Sequence, residues 1–300
     1  MNNKKSFSSS ASSIKRSFEV KQESDLMNML LTEWSDLSRS KIKKYLSNNM
    51  ILVEGRPTRQ FDFPLRKGMT VYLQNYSGNS MKANPYLSIV YEDSWLVIIN
   101  KQPGVLSMQS DHHGFCVKTL LDQYFHQKHL PCTAHVVHRL DRETSGLMIY
   151  AKSSHVQQTL EHHWHDIVTD RRYVAVVRGK MKQKQGTIRS WLKDDKFFFT
   201  YSSPIDNGGK LAITHFQTLK VSDRYSLVEL QLETGRKNQI RVHMQDLGFP
   251  VVGDHKYGGD DEDPIGRLAL HAFKLCFTHP VTMELMSFET RYPSPFLQLV

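Results

Sequence analysis

Cysteine is scarce in this chain: Cys116, Cys132 and Cys276 are the three in 300 residues, and they stand far apart. Such spacing excludes the disulfide framework that staples small secreted domains, and no C-x-x-C pair is present to build a structural zinc site. Long apolar runs are also missing. Nothing approaches the ~20 consecutive apolar residues that span a bilayer, so no membrane association is expected. Residues Met1 to Ser17 are serine-rich and basic but contain no apolar stretch. They lack the features of a secretory signal and read as a disordered cationic tail. Neither a Walker loop nor a dinucleotide fingerprint occurs, so ATP and nicotinamide chemistry have no binding motif. A reducing, cytoplasmic setting is the expectation.

What is present in excess is positive charge. Lys and Arg number 39 against 30 Asp and Glu, a net +9. The imbalance is uneven: Met1 to Gln74 holds 13 Lys and Arg against 7 Asp and Glu, so +6 of the excess lies in the first quarter. Clustered positive charge favours a polyanionic partner, with solubility as the plain alternative. A 39% hydrophobic content over this length supports one large core and a small companion domain.

The pattern divides accordingly into a tail (1–17), a small unit (18–74), a polar linker (75–86) and a large domain (87–300). In the small unit, Leu26, Met29, Leu30 and Leu31 lie near helical spacing. Ser40 is placed to cap a second helix over Lys41 to Leu46, with Arg39, Lys41, Lys43 and Lys44 outward. Glu54-Gly55 sits in a turn after the strand Ile51-Leu52-Val53, and Thr70 to Gln74 reads as a last strand.

From Leu87 onward strand patterns dominate: 87–91, 95–100, 146–152, 173–178, 214–221, 226–233 and 268–277. One amphipathic helix spans His155 to Val168, with Val156, Leu160, Trp164 and Ile167 at helical intervals. Asn207-Gly208-Gly209 reads as a loop tip. Strands outnumber helices without βαβ alternation, so the expected class is α+β with a mixed, largely antiparallel central sheet flanked by helices.

The densest chemical signal is His138-Arg139-Leu140-Asp141-Arg142-Glu143-Thr144-Ser145-Gly146-Leu147. It sets one carboxylate, Asp141, between two arginines in a turn that runs into the apolar strand Leu147 to Tyr150. An exposed Asp between arginines is commonly a solvated charge; at a strand-edge loop it is also how a fold presents a carboxylate to a substrate. The string resembles the H-R-L-D-x-x-T-S-G signature of the RluA-type pseudouridine synthases, matched at every fixed position.

Further blocks resemble the same family over about Leu87 to Tyr292. Asn100-Lys101-Gln102-Pro103-Gly104 is similar to its first block, with Pro one place later, and reads physically as a turn. Arg171-Arg172-Tyr173 is similar to the block that supplies an active-site tyrosine. Gly209 to Thr214 is similar to a G-K-x-A-x-T segment leading into a strand. Thr234-Gly235-Arg236-Lys237-Asn238-Gln239-Ile240-Arg241-Val242-His243 is similar to T-G-R-x-H-Q-I-R-x-H, with Asn238 where His is usual, and Gly253 to Gly258 and Arg267 to Ala272 follow at family-like distances. The resemblance implies isomerisation of uridine to pseudouridine in RNA, with Asp141 as the catalytic residue, Arg241 as its partner and Tyr173 stacking on the uracil; Arg139, close to Asp141, is the candidate to occupy the space a flipped base leaves or to hold the phosphates.

Residues 18–74, through Asp36 to Ser40, the Lys-rich helix and the late Lys67-Gly68, resemble the alpha-L RNA-binding motif of ribosomal protein S-four. That implies phosphate contacts by Arg39, Lys41, Lys43 and Lys44, and makes large-subunit ribosomal RNA favoured over tRNA. The isomerisation implies no cofactor, and a monomer is the default expectation. Three alternatives bear on this chain. His112, His113, Cys116, Cys132, His135 and His138 are metal-type residues at short intervals, although the pattern is a poor zinc template. The fold could serve an RNA-binding or assembly protein without catalysis, or an N-glycosidase that releases the base.

Overall fold

Alternation within two neighbouring strands explains how the large unit is layered. The structure, a computed structural model, describes residues 14–47, 50–54, 56–58, 60–74, 84–108, 115–258 and 263–300. The chain divides into two compact units at Ser80 and Met81.

The first unit contains β1 (Ile14–Glu19), β2 (Ser24–Asp25), α1 (Leu26–Glu33), α2 (Arg39–Ser47), β3 (Ile51–Val53), β4 (Arg56–Pro57), β5 (Pro64–Leu65) and β6 (Thr70–Gln74). Four strands form a sheet in the order β1-β6-β3-β4, and β2 pairs with β5. Leu26, Leu30, Ile42 and Leu46 from the helices bury against Ile51, Val71 and Leu73. Asp25 caps α1 by accepting from the Asn28 N–H at 2.9 Å. The second helix is capped by Ser38, whose Oγ accepts from the Lys41 N–H at 3.3 Å, not by Ser40, which lies inside the helix. Strand β1 starts at Ile14, ahead of the Phe18 boundary expected from sequence, because its residues pair with β6. Residues 1–13, Gly55, the Lys44 side chain and most of the expected linker (75–83) lie outside the described residues.

The second unit contains β7 (Leu87–Glu92), β8 (Leu96–Lys101), α3 (Val117–Gln127), β9 (His135–Val136), β10 (Ser145–Ala151), α4 (Ser154–His162), α5 (Trp164–Ile167), β11 (Val168–Arg178), β12 (Gln185–Asp194), β13 (Thr200–Ser203), β14 (Lys210–Val221), β15 (Tyr225–Leu232), α6 (Gln239–Asp246), β16 (Leu270–Thr278), β17 (Leu285–Glu289) and α7 (Ser294–Gln298). One sheet runs β13-β12-β14-β15-β11-β16-β10-β8-β7, with β17 beside β16 and β9 beside β10. Among these pairings only β10 with β16 is parallel, so the sheet is mixed and largely antiparallel.

The period-2 pleat sends Val97, Ile99, Met148 and Tyr150 into a cluster with Leu121 and Phe125 of α3. The alternate residues Leu96, Ile98, Leu147 and Ile149 face Val156 and Leu160 of α4. Both sheet faces are therefore covered, and each fully buried Leu, Ile or Phe contributes about 1.5–3 kcal/mol. The helix expected over 155–168 is broken. His163 leaves helical geometry at ψ 25°, ending α4 and starting the short α5, which swings Trp164 round beside His138. Among the described residues no helix is long and apolar enough to cross a membrane.

Candidate active site

The loop between β9 and β10 carries Asp141, and neighbouring segments hold its backbone from below. Lys101, fully buried, donates to the carbonyls of Gln102, Val105 and Arg142 at 3.0, 2.9 and 2.9 Å. Ser107 Oγ donates to the Leu140 carbonyl at 2.9 Å and accepts from the Leu140 N–H at 3.2 Å. Burial pushes the Lys101 ammonium down to about 8, against the pull of Glu143 and Asp141. The Thr144 N–H closes the turn on the Asp141 carbonyl at 3.1 Å. Gly146 then lets β10 lie against β16: at φ +125° an added Cβ would stand 2.3 Å from the Ala272 carbonyl oxygen. His138 faces inward, where Nε2 accepts from the Ile149 N–H at 3.0 Å. Burial, with Arg171 nearby, lowers its imidazole to about 3, so it stays neutral.

What this scaffold presents is a cavity of about 400 Å³ lined by Arg139, Asp141, Trp164, Arg171, Tyr173 and Arg236, among others. The Asp141 carboxylate is 27% exposed, open to the cavity without being free in solvent. Tyr173, on β11, is buried to 8% exposure. Burial raises its phenol, Arg171 opposes and Asp141 adds to the rise, so the ring is neutral. A smaller adjoining cavity of about 60 Å³ brings Asp141, Arg139 and Tyr173 together with Arg241 and Asn238.

Arg241 projects from α6. Its Nε and Nη2 donate to Asp254 at 2.7 Å each, while Nη1 donates to Asp141 at 3.3 Å and to Asn238 Oδ1 at 3.1 Å. Burial acts to lower the guanidinium, but the bonds and charge of Asp254 and Asp141 outweigh it and the group is raised overall. Asp254 is fully buried and also accepts from the Lys256 and Tyr257 N–H groups at 3.0 Å. Asn238, at the start of α6, adopts a left-handed φ of 55°. Its side chain links Arg241 to the Tyr257 hydroxyl, to which it donates at 3.0 Å. Gln239 locks the preceding turn through Thr234 and the Arg236 N–H.

Of the residues singled out from sequence, Asp141, Tyr173, Arg241 and Arg139 meet at this cavity, and Arg139 is exposed at its rim. Arg39 and Lys43 are exposed on α2 of the other unit, and Lys41 is half-buried there. The histidines of 161–165 are solvated as expected, yet Glu161 and His165 also line the cavity. Sequence reasoning assigned no role to Asp254, Lys101, Ser107 or Trp164. An acid set just past the apolar pair Val251-Val252 and Gly253 was the available signal for Asp254.

The metal-type residues do not converge: Cys116 starts α3 beside Thr119, His135 bonds Thr133, and His138 serves β10. His112 and His113 lie outside the described residues. Among the described residues no group of three or more His, Cys, Asp or Glu is placed to hold a metal.

Residues 95–246 match the family model described as RNA pseudouridylate synthase. This stretch contains Asp141, Tyr173 and Arg241. The chain belongs to the RNA pseudouridine synthase family. Such a synthase is an isomerase that converts uridine to pseudouridine in RNA. The chain is 40% identical over 218 residues, 71% of its length and 75% of the relative's, to the uncharacterised RNA pseudouridine synthase YjbO of Bacillus subtilis. It is 32% identical to ribosomal large subunit pseudouridine synthase D of Neisseria meningitidis, over 88% of this chain and 75% of that one. The solved structure of human RNA pseudouridylate synthase domain containing 1 is similar at TM-score 0.57 and 28% identity, covering 71% of this chain and 85% of that chain.

For a pseudouridine synthase the local chemistry is coherent. The reaction breaks the bond from ribose C1′ to the base nitrogen, turns the uracil and rejoins it through C5. Nothing is oxidised and no group is lost, so the reaction calls for a group able to act at the sugar and a pocket that retains the free base.

Proposed function

We propose that this chain isomerises uridines of large-subunit ribosomal RNA, with Asp141 as the catalytic carboxylate, Tyr173 as the ring that holds the uracil and Arg241 as the cation that positions Asp141. The observation that carries the reading is that Asp141, from the loop ahead of β10, and Tyr173, from β11, line one cavity whose other walls supply Arg139, Arg171 and Arg236. A flipped nucleoside brings one apolar base and flanking phosphates, and a tyrosine ring with surrounding guanidinium groups complements both. Asp141 then acts at the ribose, either attacking C1′ or taking a proton from the sugar; both roles need the carboxylate beside the anomeric carbon.

Ribosomal RNA is favoured by relatives named as large-subunit synthases and by the first unit, read as an S-four-like RNA-binding domain. Its α2 carries Arg39, Lys41 and Lys43, which with Lys44 of the same run are proposed to meet the phosphate backbone, a sequence-independent contact that adds affinity. A ribosomal substrate makes the cytoplasm the place of work, and an isomerisation that neither oxidises nor transfers a group calls for no cofactor. The test is to incubate the protein with unmodified large-subunit ribosomal RNA and map pseudouridines along it. New pseudouridine at discrete positions supports the proposal; modification of tRNA alone would replace the substrate.

A further inference from the structure

We propose that the tip of the hairpin joining β12 to β13 is a stacking platform for an unpaired base of the RNA strand that carries the target uridine. The inference rests on the functional reading above and adds a second contact to it. Phe197 and Phe198 are 76% and 74% exposed, far more than the other exposed aromatic side chains of this unit, Tyr86, Phe115 and Tyr201. Two adjacent phenyl rings in water are an expensive surface unless something covers them.

The tip is also fixed in place. Asp195 Oδ1 accepts the N–H groups of Phe197 and Phe199 at 2.8 Å, and Phe198 adopts a left-handed φ of 61°. Lys237 and Lys256 both donate to the Phe198 carbonyl at 3.0 Å. A rigid aromatic pair can receive a base without first being ordered.

Charge and continuity identify the occupant. Lys196 lies 5.0 Å from the Phe197 ring centre and Lys237 lies 5.7 Å from that of Phe198. Asp194 is already engaged with Lys237 and Thr200, and Asp195 with the turn. Lys237 lines the Asp141 cavity as well, so one side chain borders both places. Aromatic rings interleaved with lysines form the surface that binds single-stranded nucleic acid, the lysines tracking phosphate and the rings taking bases of any identity. A protein segment would use the same rings only as apolar contact. That difference can be measured.

The experiment uses the full chain and an oligouridylate strand carrying one 5-iodouridine. Irradiation of the parental complex is expected to join the strand to the tryptic peptide Phe197–Lys210. The F197S/F198S and F197L/F198L variants should each bind the strand about tenfold more weakly, while F197Y/F198Y binds like the parent. Parental affinity in the Ser or Leu variant, weak binding by the Tyr variant, or no adduct on this peptide overturns the platform. The Leu variant preserves an apolar tip, so a loss there is not explained by misfolding. If Asp141→Asn abolishes isomerisation while the platform variants bind normally, the platform alone fails; if Asp141→Asn stays active, the functional reading fails whatever the adduct shows.

Discussion

Arg241 is tied to Asp254 by two bonds of 2.7 Å and reaches Asp141 through one of 3.3 Å. The guanidinium is thus fixed by a fully buried acid and reaches the cavity-facing acid through one longer bond. Asp254→Asn keeps the shape and removes the charge. Stability should fall by about 3–5 kcal/mol, the cost of leaving one member of a buried pair uncompensated, and turnover should fall with it as Arg241 loses its anchor. Urea unfolding and tritium release from C5-labelled uridine RNA measure the two effects. Unchanged stability would mean that Arg241 is not held through Asp254.

Asn238 performs two separable tasks, tolerating a left-handed φ of 55° and bridging Arg241 to Tyr257. Asn238→Gly removes the bridge without adding backbone strain, whereas Asn238→Ala removes the bridge and adds strain. Both variants should lose activity to a similar extent, roughly tenfold for a misplaced positioning group, while Asn238→Ala is less stable than Asn238→Gly by about 1 kcal/mol. Steady-state rates paired with thermal melts check this. Full activity of Asn238→Gly would remove the side chain from the site's geometry.

These residues show where the sequence was and was not legible. Asp141, Tyr173 and Arg241 could be singled out because each lies in an ordered string of motif positions. Asp254 lies in such a string too, but its role depends on a partner 13 positions earlier, and nothing in a linear pattern reports that pairing. Strands β8 and β10 were legible because burial on both faces makes them continuously apolar. The hairpin strand β12, Gln185–Asp194, was not, since its largely exposed residues are polar and charged and its place comes from pairing with β14. The helix expected over 155–168 failed for a related reason: Trp164 keeps the helical spacing, yet its contact with His138, set by tertiary packing, lies beyond the break at His163.

Gly146 follows the loop that carries Asp141, at the parallel contact with β16. Gly146→Ala places a methyl group 2.3 Å from the Ala272 carbonyl at φ +125°, and the variant should lose more than about 3 kcal/mol or fail to fold. Gly248→Ala, at φ +79° with open space around it, is the control; it should lose about 1–2 kcal/mol. Equal melting temperatures for the two would contradict the close approach of the strands.

Burial holds His243 and His271 at about 4 and His138 at about 3. For His243 and His271 the partners are hydroxyl groups, of Ser190 and Thr214 and of Ser145 and Thr290. Their folded values lie below the ordinary 6.5, so below that pH the unfolded chain binds more protons than the folded one. The stability they contribute is complete above pH 6.5 and is lost as the pH falls towards 4. Urea midpoints from pH 7.5 to 4.5 should therefore drop, and the drop should be shallower in His271→Gln. A flat profile would mean that these rings are not kept neutral.

The most direct measurement is tritium release from C5-labelled uridine RNA by Asp141→Asn, alongside its RNA affinity. In the proposed mechanism the carboxylate acts on the ribose while the surrounding arginines hold the strand, so the variant should release no tritium and bind RNA within a few-fold of the parent. Release at the parental rate would contradict the assignment of Asp141.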